Sequence, residues 1–539
     1  MGGDMVQGAS GEILYREAEE SDAAAVTELF RTAYGEGYVH PQVYDSREVK
    51  RMIFDPDALI LVAEGRSSGT IVGTASVLYE MGAYSDLVGE FGRLVVHPDW
   101  RARGIGRRLM KERLARVGHR LHVGFVEVRV GSSHSARISQ AHGFVPVGAL
   151  PQKLVYGGER EHTALLVRHF GEALRLRRNH PRIVPEADRL AETALRGAGV
   201  VPDAIIDEEA APYPRGTRYE IEELTANGYS ALLRIERGRI RNREIFGPQR
   251  LHYGLFRLEA SDSHYVVARR EGRVEGALGY MKDEVERHAR VFEVISVEDE
   301  VVHALFEALA ARCEEEGLMG AEVDVNAHAT RMQRTLLECG YLPAAYVPAW
   351  TFHEVERLDV VKMYRLFEPL MDLPFDVPEP GLSLGHYVLE RFHSLTLQPR
   401  IARAMARLGV CEGLNHEQSR TLVAEFEPRT VPPGTTIFSR GDDAEGMLLI
   451  LEGRARVEAS EGVVGGVGPG ECLGEVALLT GTPHSASAVA ETELEAGFLE
   501  REGLETLVRR RPDIGTVVYR NLARGLGEKL RRAGGLDVR

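Results

Sequence analysis

A chain of 539 residues is too long for one ordinary core, so roughly three or four domains are expected. Its 44% hydrophobic and 27% charged residues are the mixture of a soluble globular protein, and no stretch is long and apolar enough to span a bilayer. The formal net charge of -15 disfavours nucleic acid as a partner, because phosphates are repelled overall.

The opening MGGDMVQGASGE lacks the apolar run of a signal peptide. Ile13 to Ala18 then reads as a strand, and Asp22 to Tyr34 as a helix with Asp22 as its N-cap. Leu59 to Ala63 and Ile71 to Tyr79 read as strands on either side of the turn GRSSG. Phe91 to Val96 is a further strand, Ile105 to Val117 a helix, Phe125 to Val130 a strand, Ser135 to Ala141 a short helix and Thr163 to Val167 a strand. Hairpins first and helices later predict a mixed sheet. From Gly171 to Gly216 the pattern decays into a connector with one helix around Pro185 to Gly197.

A second set runs from Tyr219 to Leu366. HYVVARREGRVEGALGYM is a hairpin around Glu271-Gly272, VFEVISV a strand, VVHALFEALAARCEEEG a helix, AEVDVNA a strand, and TRMQRTLLECG a helix closed by Gly340. The order matches the first set element by element, which is the mark of a diverged internal repeat. The linker MDLPFDVPEPG follows, then helical material to Val410. From Leu414 short strands with frequent glycines have the rhythm of a small antiparallel barrel, and the last stretch is helical. The divisions are 12–170, a linker at 171–216, 217–370, linker and helices at 371–410, and 411–539. Cys313, Cys339, Cys411 and Cys472 are far apart, without metal-type spacing. Each is expected to be a small buried apolar residue in a reducing, cytoplasmic protein.

The sharpest chemical feature is LVVHPDWRARGIGRRLM, Leu94 to Met110. A strand enters a loop with Gly104 and Gly106, and a helix follows at once. The glycines allow a ligand to approach the backbone, and amides at the helix start point at an anion. Arg101, Arg103 and Arg107 add positive charge there. The bland reading, a surface turn before a basic helix, is outweighed by the position of the loop in the order of elements.

This segment resembles the GNAT acyltransferase superfamily, through Arg101-x-x-Gly104-x-Gly106 after GEFGRLVV and through the later ARISQAHGF. The resemblance implies acetyl-CoA or another acyl-CoA as donor, and a small-molecule amine or protein lysine as acceptor. It places the pyrophosphate on amides of Arg101 to Gly106, Ile105 included, with Arg107 adding charge, and the pantetheine arm on the backbone of Val95 and Val96 where two strands splay. Deprotonating the ammonium needs a base. Glu90 is the candidate, with a solvated strand-end carboxylate as the competing reading. His97, His134 and His142 are weaker candidates, each more often a surface or cap residue. Ser139 stands where the family often has a proton-donating tyrosine, so that acid is absent or replaced, for example by solvent.

In the repeat, EDEVVHALF follows VFEVISV. Glu298, Asp299 and Glu300 would repel a pyrophosphate and no glycine opens the loop, so this domain is not expected to bind CoA in the usual way. Structural support, completion of the acceptor pocket and contacts between subunits of a homo-oligomer are its expected roles. Asn326, His328 and Arg331 line a pocket on one reading and are ordinary strand-end polarity on the other.

PGECLGEVALLTGTPHSASA, Pro469 to Ala488, resembles the phosphate-binding cassette of cyclic-nucleotide-binding domains, and PGTTIFSRGDDAEGMLLILEGRARV matches the same barrel. The resemblance implies that Glu475 accepts a bond from a ribose hydroxyl and that amides near Gly474, Val476 and Ala477 meet the cyclic phosphate. His484, with Ser485 beside it, stands where an arginine normally pairs with that phosphate. An imidazole offers one donor when neutral and can take a proton beside a phosphate, which predicts weaker or pH-dependent binding. The alternative is a degenerate barrel kept for docking. No helix-turn-helix module follows. The fold class is thus mixed α/β (α+β): two GNAT-like mixed-sheet domains, then a small antiparallel barrel with terminal helices. The functional reading is an acyl-CoA-dependent N-acyltransferase with a regulatory barrel, against a non-catalytic sensor of acyl-CoA and cyclic nucleotide.

Overall fold

The computed structural model of the chain describes residues 13–80, 87–224, 244–246, 263–393, 412–414, 416–423, 425–460 and 462–533. The opening segment, Cys411 and residues 394–410 of the expected helical stretch lie outside them. The chain forms two compact units, one up to Leu389 and one from Glu390 on.

The first unit begins with β1 (Ile13–Glu17), α1 (Ala23–Tyr34), α2 (Ser46–Phe54), β2 (Ala58–Gly65), β3 (Ile71–Glu80) and β4 (Val88–Val96). It continues with α3 (Ile105–Val117), β5 (Val123–Arg129), α4 (His134–Ala141), β6 (Val145–Tyr156) and β7 (Glu159–His169). The strands lie in the order β1-β2-β3-β4-β5-β7-β6, with β4–β5 the parallel pair. Each expected element is present, and every expected strand but β1, which stops at Glu17, runs longer than the sequence pattern implied. Asp22 does not cap α1 with its side chain. Its carboxylate instead accepts from the Glu19 amide at 2.7 Å and from Arg16 at 2.6 and 2.9 Å. Strand β6 was hidden by Pro146 and Pro151, residues that argue against a central strand. The structure accommodates them at register shifts between Pro146 and Gly148 and between Leu150 and Leu154.

Next come β8 (Arg182–Ile183), α5 (Asp188–Gly197) and β9 (Ile205–Ile206). Helix α5 buries Leu190, Ala191, Ala194 and Leu195. The buried Arg177 binds Asp359 at 2.6 Å and Asp203 at 2.8 Å. The stretch 171–216 is therefore a packed brace rather than a slack tether.

The second half of this unit has β10 (Glu220–Leu224), β11 (Ile245–Phe246), β12 (Ser263–Arg270), β13 (Arg273–Asp283), β14 (His288–Ser296) and α6 (Val301–Glu315). It ends with β15 (Gly320–Asn326), α7 (Thr330–Glu338), β16 (Leu342–His353) and β17 (Glu356–Leu366). The order β10-β12-β13-β14-β15-β17-β16, with β14–β15 parallel, repeats that of the first half. The halves share one fifteen-stranded sheet through β6 and β16, which pair at Gly148 and Ala345. A Cβ at Gly148 would stand 2.2 Å from the Ala344 carbonyl and 2.4 Å from the Ala345 Cα, so only glycine permits this approach.

In the second unit α8 (His416–Val423) precedes the strands. The strands are β18 (Phe426–Val431), β19 (Thr436–Phe438), β20 (Gly446–Glu452), β21 (Ala455–Ala459), β22 (Gly462–Val467) and β23 (Cys472–Leu473). After α9 (Glu475–Thr480) come β24 (Ser487–Ala490), β25 (Leu494–Glu500), α10 (Arg501–Arg510) and α11 (Pro512–Ala533). They make two four-stranded sheets, β18-β25-β20-β23 and β19-β24-β21-β22. Alternation along β20 sends Leu448 and Ile450 into one core and Met447 and Leu449 into another shared with Leu504, Leu507 and Ile514 of the helices. Cys313, Cys339 and Cys472 are buried, as expected. Among the described residues no helix is long and apolar enough to cross a membrane.

Candidate functional site

Strand β4 carries the first part of the site. It pairs with β5 only at Val88–Val123, Gly89–Gly124 and Glu90–Phe125. Beyond Glu90 the strands part, although β4 runs on to Val96 and β5 to Arg129. A bulge opposite Thr74 and Ser76 turns β4 away, with Arg93 in the left-handed region at φ 53°. The buried Arg113 of α3 donates to the carbonyls of Ser76 at 2.9 Å and Gly92 at 3.0 Å, which secures the bulge. Burial pulls this guanidinium down to about 9, still charged at neutral pH. Nothing in the sequence distinguished Arg113 from its basic neighbours.

The loop after β4 is open. Ala102 and Gly104 take left-handed conformations, φ 61° and 79°, and no side chain caps α3. Arg101, Arg103, Gly104 and Arg107 are exposed, Ile105 is buried in the core, and Gly106 packs against Ile138. A Cβ at Gly104 would meet nothing within 4 Å. Arg101 donates to the Val96 carbonyl at 3.3 Å and Arg103 to the Asp99 carbonyl at 3.2 Å, while Arg103 also stacks on Trp100. Uncapped amides, open space and three arginines suit a diphosphate.

Glu90 is partly exposed and pairs with Arg93 at 3.3 Å. Beside them lies an aromatic group that sequence reasoning missed, Tyr34, Tyr38, Tyr44 and Tyr156. Tyr38 packs its ring at a tilt against those of Phe30 and Tyr34, and its amide donates to the Tyr44 hydroxyl at 2.9 Å. Burial pushes the Tyr38 hydroxyl well above its ordinary value, with Arg93 and Glu90 both acting on it. The run YGEGY, two tyrosines spaced by glycines, was the available signal.

The other candidates have local partners. His97 accepts from the Asp99 amide at 3.3 Å, His134 bonds Ser132 at 2.9 Å, and His142 bonds the Ile138 carbonyl at 2.8 Å. Ser139 is buried and donates to the Ser135 carbonyl at 2.9 Å, so its hydroxyl is spent inside α4.

The second half lacks the equivalent opening. In place of a glycine loop, Asp299 pairs with Arg331 at 2.7 Å and Glu300 with Arg270 at 3.4 Å. Strand β11 pairs with β15 at Phe246–Asp324 and Ile245–Val325, just where β15 leaves β14, and the Asn326 amide donates to the Glu244 carbonyl at 2.8 Å. The chain's own backbone fills the slot. Among the described residues no strand does so beside β5. Asn326 caps the His328 amide at 2.9 Å and Arg331 covers Tyr213, so Asn326 and Arg331 serve local structure, while the buried His328 Nε2 has no hydrogen-bond partner among the described residues.

A cavity of about 980 Å³ lies between the halves. Tyr79, Glu90, Arg93 and Lys153 of the first half line it, together with Asp283, Glu286 and His288 of the second. No motif marked these second-half residues, because folding alone brings them to Glu90.

In the second unit Gly474 is left-handed at φ 86° and Glu475, the first residue of α9, is buried. Val476 is exposed, Ala477 is buried with its carbonyl accepting from Arg501 at 2.8 Å, and Ser485 is exposed. His484, which stands where the family has an arginine, is held by a ring contact. Its ring is buried and stacked on Phe438 with centroids 3.8 Å apart and planes at 9°. Burial pushes its pKa below the ordinary histidine value and so favours the neutral ring.

Comparison with known proteins assigns two regions. Residues 56–146 match the acetyltransferase (GNAT) domain model, and residues 428–511 match the cyclic nucleotide-binding domain model. The chain is 27% identical over 127 residues to the CRP-like cAMP-activated global transcriptional regulator of Mycobacterium tuberculosis, covering 23% of this chain and 57% of that protein. It is 36% identical over 126 residues to the cyclic AMP receptor protein of Thermus thermophilus, covering 22% of this chain and 56% of that one. The chain thus spans just over half the length of these curated relatives. A solved GNAT-family acetyltransferase from Streptococcus pneumoniae is 21% identical, covers 30% of this chain and 100% of its own, and has a TM-score of 0.25. The chain therefore carries a GNAT acetyltransferase domain and a C-terminal cyclic nucleotide-binding domain.

Proposed function

We propose that the chain is an acyl-CoA-dependent N-acyltransferase that moves an acetyl group to an amine, with a cyclic-nucleotide-responsive regulatory barrel. The observation that carries this reading is the open, uncapped start of α3 behind three exposed arginines, beside the parting of β4 and β5. Amides of Arg101 to Gly106 hold the diphosphate and Arg107 adds charge, while the backbone of Val95 and Val96 takes the pantetheine arm like an added strand. Acetyl-CoA supplies the thioester.

Glu90 takes a proton from the acceptor ammonium, and Arg93 fixes the direction of its carboxylate. The freed amine attacks the thioester carbonyl. A C–N bond forms, the C–S bond breaks, and the thiolate is protonated. Ser139 is spent within its helix, so Tyr38, which burial keeps protonated, is the donor the site offers. The second half, 217–370, is a GNAT-like repeat that walls the acceptor cavity and binds no CoA of its own. In the barrel, Glu475, the amides of Gly474, Val476 and Ala477, and the pair His484 and Ser485 receive the effector.

Calorimetry with acetyl-CoA and thiol release with a panel of amines test the reading. Binding at one site per chain and amine-dependent thiol release are expected. Absence of acetyl-CoA binding removes the enzymatic account, and binding without release to any amine leaves the sensor instead.

A further inference from the structure

The cavity between the halves has the size of a small-molecule site, about 300 to 1,000 Å³ being usual. Its charges are unevenly satisfied. On the wall from the second half, Lys282 pairs with Glu316 at 2.5 Å, and Arg290 lies 3.5 Å from Asp324. Lys153 opposite them pairs with Glu127 at 2.6 Å. The carboxylates of Asp283 and Glu286 line the same space, and among the described residues no cation stands within ion-pair distance of either. Among the described residues Asp283 accepts only from the amides of Val285 and Glu286, at 2.9 and 2.8 Å.

A second observation is independent of the acids. His288 is buried on the same wall, and its Nε2 bonds the Tyr364 hydroxyl at 2.6 Å. Its Nδ1 has no hydrogen-bond partner among the described residues. Such a buried atom left without a bond costs about 1–3 kcal/mol.

We propose that the acceptor is a small amine bearing at least two positive charges, seated between the halves, with Asp283 and Glu286 holding an ammonium other than the one that reacts. This rests on the acyltransferase reading for the reacting end and adds the substrate class. Reach across the cavity then explains why the chain keeps a half without a CoA slot. That half supplies the carboxylates that select the acceptor.

Glu286 gives the proposal a signature. Burial, together with Glu127, Asp283 and Glu322 around it, pushes its carboxyl up to about 8 against the attraction of Lys153. The shift favours the protonated form of this carboxyl over the carboxylate. An ammonium beside it favours the carboxylate, so binding expels that proton.

The test is calorimetry of the full chain with spermidine, with and without coenzyme A, at pH 7 in two buffers of different ionisation enthalpy. Binding with net proton release is expected. Glu286→Gln should abolish the release, and Asp283→Asn, at an exposed position, should weaken binding about tenfold, or 1.4 kcal/mol. Unchanged melting temperatures separate either effect from misfolding. No heat with millimolar spermidine, variants that bind like the wild type, or preference for a lysine peptide over spermidine would overturn the proposal. These readouts are independent of turnover, so their failure leaves the acyltransferase reading standing, and loss of acetyl-CoA binding is what would remove that one.

Discussion

The two halves of the first unit have the same seven-strand order and the same single parallel pair, yet they treat the gap beside that pair in opposite ways. In the first half β4 and β5 part, and among the described residues no strand pairs with the freed edge of β5. In the second, Ile245 and Phe246 pair with β15 and close it. The loops differ alike. One is a glycine turn whose three arginines have no carboxylate partner among the described residues, the other an acidic turn tied down by Arg331 and Arg270. The frame depends on strand alternation and packing, which tolerate wide substitution. The ligand slot depends on a few backbone positions, and losing them leaves the frame intact.

The largest effect should come from the residue at the point of parting. Glu90→Gln should lower turnover with the true acceptor by about 100- to 1,000-fold, the usual worth of a positioned base, and leave acetyl-CoA affinity unchanged by calorimetry. Equal turnover would return Glu90 to a strand-end carboxylate held by Arg93. Next in size is the loop. Arg101→Glu with Arg103→Glu should weaken acetyl-CoA by about 100-fold or more, since each charged hydrogen bond contributes about 1.5–3 kcal/mol. The mirror experiment sharpens the contrast. Glu298→Arg with Asp299→Arg should create no second CoA site, because β11 occupies the slot whatever the loop charge. A stoichiometry of two would break the comparison.

The seam between the halves is the third target. Gly148→Ala places a methyl group against the Ala344 carbonyl and should cost about 1–3 kcal/mol, read as a lower melting temperature of the first unit. An unchanged melt would mean that the halves can separate there without loss. That seam was invisible in the sequence, where Pro146 and Pro151 masked the strand that makes it. Local signals were legible. Gly104 and the arginines marked the loop, and α3 begins and ends where its pattern said, at Ile105 and Val117. What needed the structure was each feature assembled from distant segments: β11 in the slot of β15, Glu286 across the cavity from Glu90, Arg113 under the bulge. Each depends on a pairing that no local period encodes.

The smallest effect lies in the barrel, where one substituted residue separates two readings of the cassette. His484 is stacked on Phe438 and neutral at rest, and Asp442 and Arg501 act on it in opposite directions. A phosphate brought beside it favours the protonated ring, so binding takes up a proton, and affinity rises as pH falls. Cyclic AMP should therefore bind the wild type a few times more tightly at pH 6 than at pH 8. His484→Arg should bind about tenfold more tightly than the wild type at pH 8, with the pH dependence gone, because a guanidinium carries its charge and its fork at every pH tested. If the variant gains nothing, the stacked imidazole fills the space a phosphate would need. The barrel would then resemble the second half of the first unit, a frame whose ligand slot its own side chain has closed.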